Sequence, residues 1–163
     1  MNIQNEDSIR VLIADDDERI LACYRDAFGD GGSADATEAL LSLEAELFAA
    51  EHTIDDTPKF EVVACNQGGD AISLATEAAR SGRPFNVIIL DIRMPPGIDG
   101  VEAGRQIRKL DPDVEIIFVS GYSDVPRDEL ERRVPPPMKL HYFNKPLSFM
   151  QLADDVASMI RPH

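Results

Sequence analysis

The stretch VIILDIRMPP, residues 87–96, sets four apolar residues directly before Asp91 and a Met-Pro-Pro run shortly after it. Val87 to Leu90 reads as a short strand buried on both faces. Pro95 and Pro96 cannot extend such a strand, because neither carries a backbone N–H. The strand therefore ends on a carboxylate at a sheet edge, and the chain is then turned away. A buried strand that stops on an ionisable group needs a chemical reason.

Four further runs have the same character: IRVLIA (9–14), EVVAC (61–65), EIIFVS (115–120) and LHYFN (140–144). Their near-continuous hydrophobicity predicts a parallel sheet covered on both sides. Amphipathic segments alternate with them. Ile20, Leu21, Tyr24, Ala27 and Phe28 share a helical face that starts after Asp17 and stops at Gly29. Residues 68–82 place Ile72, Ala75 and Ala79 on one face, with Gly68-Gly69 as the turn into the helix. Residues 100–110 place Val101, Ala103, Gly104 and Ile107 together before Asp111-Pro112. A more polar helix is expected over 123–134, closed by prolines 135–137. The last, 148–160, carries Phe149, Leu152, Val156 and Ile160, with Ser148 as N-cap. This strand-helix alternation predicts a doubly wound α/β sandwich with functional groups at the C-terminal strand ends.

The chain has 163 residues, enough for one domain with a real core, and a net charge of −14. That negative field opposes direct nucleic-acid binding, and the runs RKL (108–110) and ERR (131–133) read as solvated helix faces. No stretch approaches a membrane span and the N-terminus lacks a signal pattern, so a cytoplasmic protein is expected. Cys23 and Cys65 read as buried free thiols. His52, His141 and His163 form no ligand motif.

Asp15, Asp16 and Asp17 follow the first strand as Asp91 follows the third. If those strands are neighbours, their carboxylates converge, and convergent carboxylates repel. A hard divalent cation such as Mg²⁺ removes the repulsion and attracts a phosphoryl group. Ser120 ends the fourth strand with a hydroxyl, and Lys145 follows the fifth with an ammonium. Acid pair, acid nucleophile, hydroxyl and lysine together make a site for placing a phosphoryl group on a carboxylate. Asp17 is expected only to cap the first helix.

VLIADDD, VIILDIRMPPGIDGVE, IIFVSGYSD and YFNKP resemble, in that order, the motifs of the receiver (response-regulator) domain of two-component signalling. The resemblance spans 9–160 apart from an insertion. It implies a CheY-like, flavodoxin-like (βα)5 three-layer sandwich with a five-stranded parallel sheet in the order 2-1-3-4-5. It implies that Asp91 accepts the phosphoryl group. Asp16 and Asp91 bind Mg²⁺ directly, Asp15 helps through water, and the carbonyl of Arg93 is another ligand. Ser120 and Lys145 contact the phosphoryl oxygens, and Tyr142 swings inward with Ser120 as the switch. Arg93 and Tyr122 flank the phosphoryl group and tune its lifetime, which a ring at Tyr122 would lengthen. A cis Lys145–Pro146 bond is also implied. The donor would be a histidine kinase or phosphotransfer protein, and the recipient an output domain or downstream protein. A homodimer is compatible with the resemblance. The chain would catalyse only its own phosphorylation and dephosphorylation.

MPPGIDG carries one residue more than the common loop of that family. Between Gly29 and Phe60 lies an insertion, about 30–59, whose middle reads as a helix capped by Asp35, with Leu40, Leu43 and Leu47 in a stripe. The expected organisation is a tail over 1–8, a receiver domain over 9–160 and a tail over 161–163. Two other readings remain at this point. One is a pseudo-receiver that only binds. The other is a phosphohydrolase of haloacid-dehalogenase type, for which DDDER offers Asp15 and Asp17 but no threonine.

Overall fold

Five apolar runs become five strands: β1 (Ser8–Ala14), β2 (Lys59–Cys65), β3 (Val87–Asp91), β4 (Glu115–Ser120) and β5 (Leu140–Asn144). The structure is a computed structural model and describes residues 8–29, 59–121 and 125–160. The expected insertion helix, residues 1–7 and 161–163 of the tails and Tyr122 lie outside the described residues, while Ser8, expected in the N-terminal tail, opens β1. The strands form one parallel sheet in the order β2-β1-β3-β4-β5, as expected for the doubly wound class. Helices connect them: α1 (Glu18–Phe28), α2 (Gly68–Arg80), α3 (Gly100–Leu110), α4 (Arg127–Arg133) and α5 (Phe149–Ile160). A short 3-10 turn, Pro137–Lys139, leads into β5.

The two-residue period of the strands divides the core in two. Leu12, Ile88, Leu90, Ile116 and Phe118 face α2, α3 and α4, whose Ala71, Ala75, Val101, Ile107 and Leu130 pack on them. Val11, Ile13, Ile89, Ile117 and Val119 face α1 and α5, meeting Leu21, Tyr24, Phe28, Leu152 and Val156. Tyr24 stacks edge-on against Phe149, and Phe28 against Phe60, with centroids 4.9 and 4.8 Å apart. The three layers follow from strands that bury both faces.

Local signals set the helix ends. The Asp17 carboxylate accepts from the Arg19 N–H at 2.9 Å and caps α1, and Gly29 closes it with φ 65°. Asp99 caps α3 by accepting from the Glu102 N–H at 2.8 Å, and Ser148 caps α5 by accepting from the Gln151 N–H at 3.2 Å. α4 begins at Arg127 rather than 123, because Pro126 stands at its N-cap in extended backbone and bars helix before it.

Three sequence expectations give way. In α2 the buried stripe is Ala71, Ala75 and Ala78, while Ala79 is exposed and Gly68-Gly69 open the helix itself. A helix rich in alanine leaves the stripe's centre ambiguous by pattern. Arg108 is buried, not solvated. Its guanidinium donates to the carbonyls of Pro112, Val114 and Lys139 and ties the end of α3 to the starts of β4 and β5. Cys23 is exposed, and Cys65 is half-buried. Burial pushes the Cys65 thiol up to about 11.

Two predictions follow from this packing. A Cβ added at Gly100 would stand 2.0 Å from the Asp91 carbonyl oxygen, so Gly100→Ala should cost about 2–4 kcal/mol of stability, read from urea unfolding. An unchanged midpoint would show that the α3 start yields freely. At pH 8 roughly one Cys65 in a thousand is thiolate, given its value near 11. Iodoacetamide followed by peptide mass spectrometry should therefore label Cys23 first. Cys65 labelling should rise about tenfold per pH unit toward pH 10, and equal labelling at pH 8 would contradict this.

Candidate functional site

Register brings the acidic residues together. Ala14 pairs with Leu90, so the residues that follow, Asp15 and Asp91, leave adjacent strands at the same level. Asp91 is itself level with Val119 of β4, which puts Ser120 one step beyond. Ser120 is level with Asn144 of β5, and the Lys145 N–H donates to the Ser120 carbonyl at 2.7 Å. One parallel ladder thus carries carboxylate, hydroxyl and ammonium to one edge.

Ligand-capable oxygens of Asp15, Asp16 and Asp91 lie within 4.8 Å of one another. Asp15 and Asp91 are buried and Asp16 is exposed. At an effective dielectric near 20, each such pair repels by on the order of 3 kcal/mol. Lys145 offsets part of this. Its Nζ donates to Asp91 Oδ2 at 3.2 Å and lies 3.5 Å from Asp15 Oδ2. The second approach is a longer ion pair, and among the described residues Asp15 Oδ2 is a buried oxygen with no hydrogen-bond partner. Backbone donors hold the other oxygens: Asp17 N–H donates to Asp15 Oδ1 at 2.9 Å, and Arg93 N–H to Asp91 Oδ1 at 3.3 Å.

Titration reflects the crowding. Burial, with the charges of Asp91 and Asp16 added, pushes the Asp15 carboxyl up to about 6 against the pull of Asp17 N–H and Lys145. Burial also raises Asp91, while Lys145 and the Arg93 N–H resist. For Lys145 burial disfavours the ammonium, yet the carboxylates of Asp15 and Asp91 outweigh it and hold the group above its usual value.

The residues fit a hard divalent cation. All donors are oxygens, their negative charge exceeds what Lys145 supplies, and one buried carboxylate oxygen lacks a hydrogen-bond partner. Ser120 is fully buried at the rim. Tyr142 sits in β5 level with Phe118 and packs, half-buried, on the core beneath the α4 side. The Arg93 residue is exposed in the loop after Asp91. Asp17 is engaged as a helix cap and is not among the clustered acids, which removes the second aspartate of the hydrolase reading. The Lys145–Pro146 bond is cis, as the resemblance implies. An apolar recess walled by Ile20, Gly121, Pro146, Leu147 and Phe149 opens beside Lys145.

Sequence reading passed over Gln67. It ends the connection from β2 to α2, and its amide bonds two backbone groups of the loop after Asp91. No sequence signal marks it, since its partners are backbone groups that occur at every position.

Known proteins share this sequence and shape. The chain is 34% identical over 93 residues to the sensor kinase CckA of Brucella abortus, covering 57% of this chain and 9% of that protein. It is 30% identical over 77 residues to the response regulator receiver protein CpdR of the same organism, covering 47% of this chain and 61% of that one. The chain thus spans less than two thirds of either relative. The crystal structure of a response regulator receiver protein from Sinorhizobium medicae superposes with a TM-score of 0.64 at 21% identity, over 95% of this chain and 96% of that one. The family model of the response regulator receiver domain matches residues 45–156. That match takes in well over half of the chain, and the chain belongs to the response-regulator receiver domain family.

Proposed function

We propose that Asp91 accepts a phosphoryl group from a partner histidine kinase or phosphotransfer protein. The observation that carries this reading is the placement of Asp91 at the end of β3, bonded to Lys145 and within the acidic cluster. An Asp91 oxygen bonds to phosphorus as the bond from phosphorus to the donor's histidine nitrogen breaks, and the imidazole keeps that electron pair. Asp15, Asp16, Asp91 and the Arg93 carbonyl would hold Mg²⁺, which supplies charge neutralisation at the transferring group. Lys145 stands 3.2 Å from Asp91 and neutralises a phosphoryl oxygen there. Ser120, at the adjacent strand end, turns its hydroxyl to another oxygen, and Tyr142 follows by rotating toward the space released. Tyr122 and Arg93 set how easily water reaches the acyl phosphate.

The modification is of the chain itself, with no free substrate turned over. Its consequence is a changed contact face between α4 and β5, read by an output domain or a downstream protein. On this reading the chain works in the cytoplasm, alongside the kinase's transmitter part. Among the described residues no helix is long and apolar enough to cross a membrane. The domain is read as 9–160 with Ser8 of β1 added, and the insertion as about 30–59 with Lys59 going to β2.

Intact mass after incubation with acetyl phosphate and Mg²⁺ tests the reading. A phosphoryl adduct is expected on the wild type, none on Asp91→Asn, and none in EDTA. An adduct that persists on Asp91→Asn would move the acceptor elsewhere, and failure of the wild type to bind beryllofluoride would favour a binding-only module. Lys145→Met separates electrostatics from scaffolding. The variant should bind Mg²⁺ at least as tightly, since a competing ammonium is gone. Its adduct should form slower by on the order of tenfold or more. Equal loss of both would show that Lys145 acts through the fold.

A further inference from the structure

We infer that Gln67 is a positioning residue for the loop that carries Asp91 into α3. The inference rests on the phosphoacceptor reading of Asp91. Gln67 occupies the N-cap of α2 in extended backbone, yet its side chain makes no capping bond to its own helix. Instead Nε2 donates to the Pro95 carbonyl at 3.2 Å, and Oε1 accepts from the Gly97 N–H at 3.2 Å. These two backbone groups flank Pro96. A residue in a parallel strand bonds its neighbour in the same way, to the carbonyl before and the N–H after. A carboxamide is the side-chain group that offers donor and acceptor on one plane for this purpose.

The loop has little means of replacing that clamp. Pro95 and Pro96 bring no N–H, and residues 95–97 are exposed. On either side the chain is fixed: Met94 is 1% exposed in the core, Ile98 packs against it, and the Gly100 N–H donates to the Ile92 carbonyl at 2.8 Å. Gln67 therefore holds the span between two anchors. Arg93 precedes the first of them, and its N–H bonds Asp91 while its carbonyl is the proposed ligand. The fit is close, since a Cβ at Gly97 would stand 2.7 Å from Gln67 Oε1.

The test uses the full chain and three readouts: exchange of the Gly97 amide by NMR, Mg²⁺ affinity by calorimetry, and thermal midpoint in EDTA. Gln67→Leu keeps the bulk and removes both bonds. It should expose the Gly97 amide and, through the chain leading back to the Arg93 carbonyl, weaken Mg²⁺ and slow adduct formation from acetyl phosphate by about tenfold, the lower end of what lost support of a ligand costs. The EDTA midpoint should stay within about 2 °C. Gly97→Ala attacks the clamp from the other side and should reproduce the Mg²⁺ loss, with the double variant no worse than either single. Wild-type Mg²⁺ affinity in Gln67→Leu overturns the inference. So does a midpoint that falls together with affinity in both variants, which would make Gln67 a stability residue. A wild type that takes up no phosphoryl group on Asp91 removes the underlying reading, and the inference with it.

Discussion

Three carboxylates share one edge of the sheet, and the parallel pairing of β1 with β3 holds them there against their own repulsion. Everything else at that edge answers to this constraint. Apolar strands buried on both faces make the pairing strong enough to bear the charge. Asp17 N–H and Arg93 N–H each hold one carboxylate oxygen, and Lys145 leans over two carboxylates. One oxygen of Asp15 is still left without a hydrogen bond. A domain shaped for stability alone would place an amide there. The retained charge gives this edge a negative field that a hard cation would relieve.

The strands show how much could be read in advance. β4 and β5 coincide with the apolar runs, and β3 runs one residue further to include Asp91. The acid cluster, Ser120 and Lys145 were legible because each directly follows an apolar run, and parallel topology sends all such ends one way. Strand order itself came from resemblance, since apolar runs alone do not rank neighbours. Backbone partners were the blind spot. Arg108 looks like surface charge in RKL, but its donors find carbonyls of three separate segments. Gln67 looks like linker in CNQGG, but its partners lie about thirty residues on. Carbonyls and N–H groups occur at every position, so sequence gives no mark of which will be recruited. The Cys23 misreading has another origin: it is the immediate neighbour of core Tyr24 in α1, and a small apolar residue suits either side of the core boundary.

The helical layers divide the work. α1 and α5 close one face with a ring cluster of Tyr24, Phe28, Phe60 and Phe149. The opposite face relies on small residues in α2 and α3, which let those helices approach closely; Gly100 lies against the Asp91 carbonyl for this reason. β3 is therefore held from the side of α3, whereas Tyr142 and the seven-residue helix α4 lie toward the β5 end of the sheet.

The Phe28–Phe60 stack has a consequence for the chain's length. It joins the end of α1 to the start of β2 at the sheet edge remote from Asp91. The described fold leaves at Gly29 and resumes at Lys59 with that contact closing the circuit. Loop-closure entropy grows only with the logarithm of length, so lengthening a short connection here to about thirty residues costs roughly 1.5 kcal/mol. A single aromatic contact is of comparable worth. Segments of varied size can thus be accommodated between these two residues while the acidic edge, built from other connections, keeps its geometry.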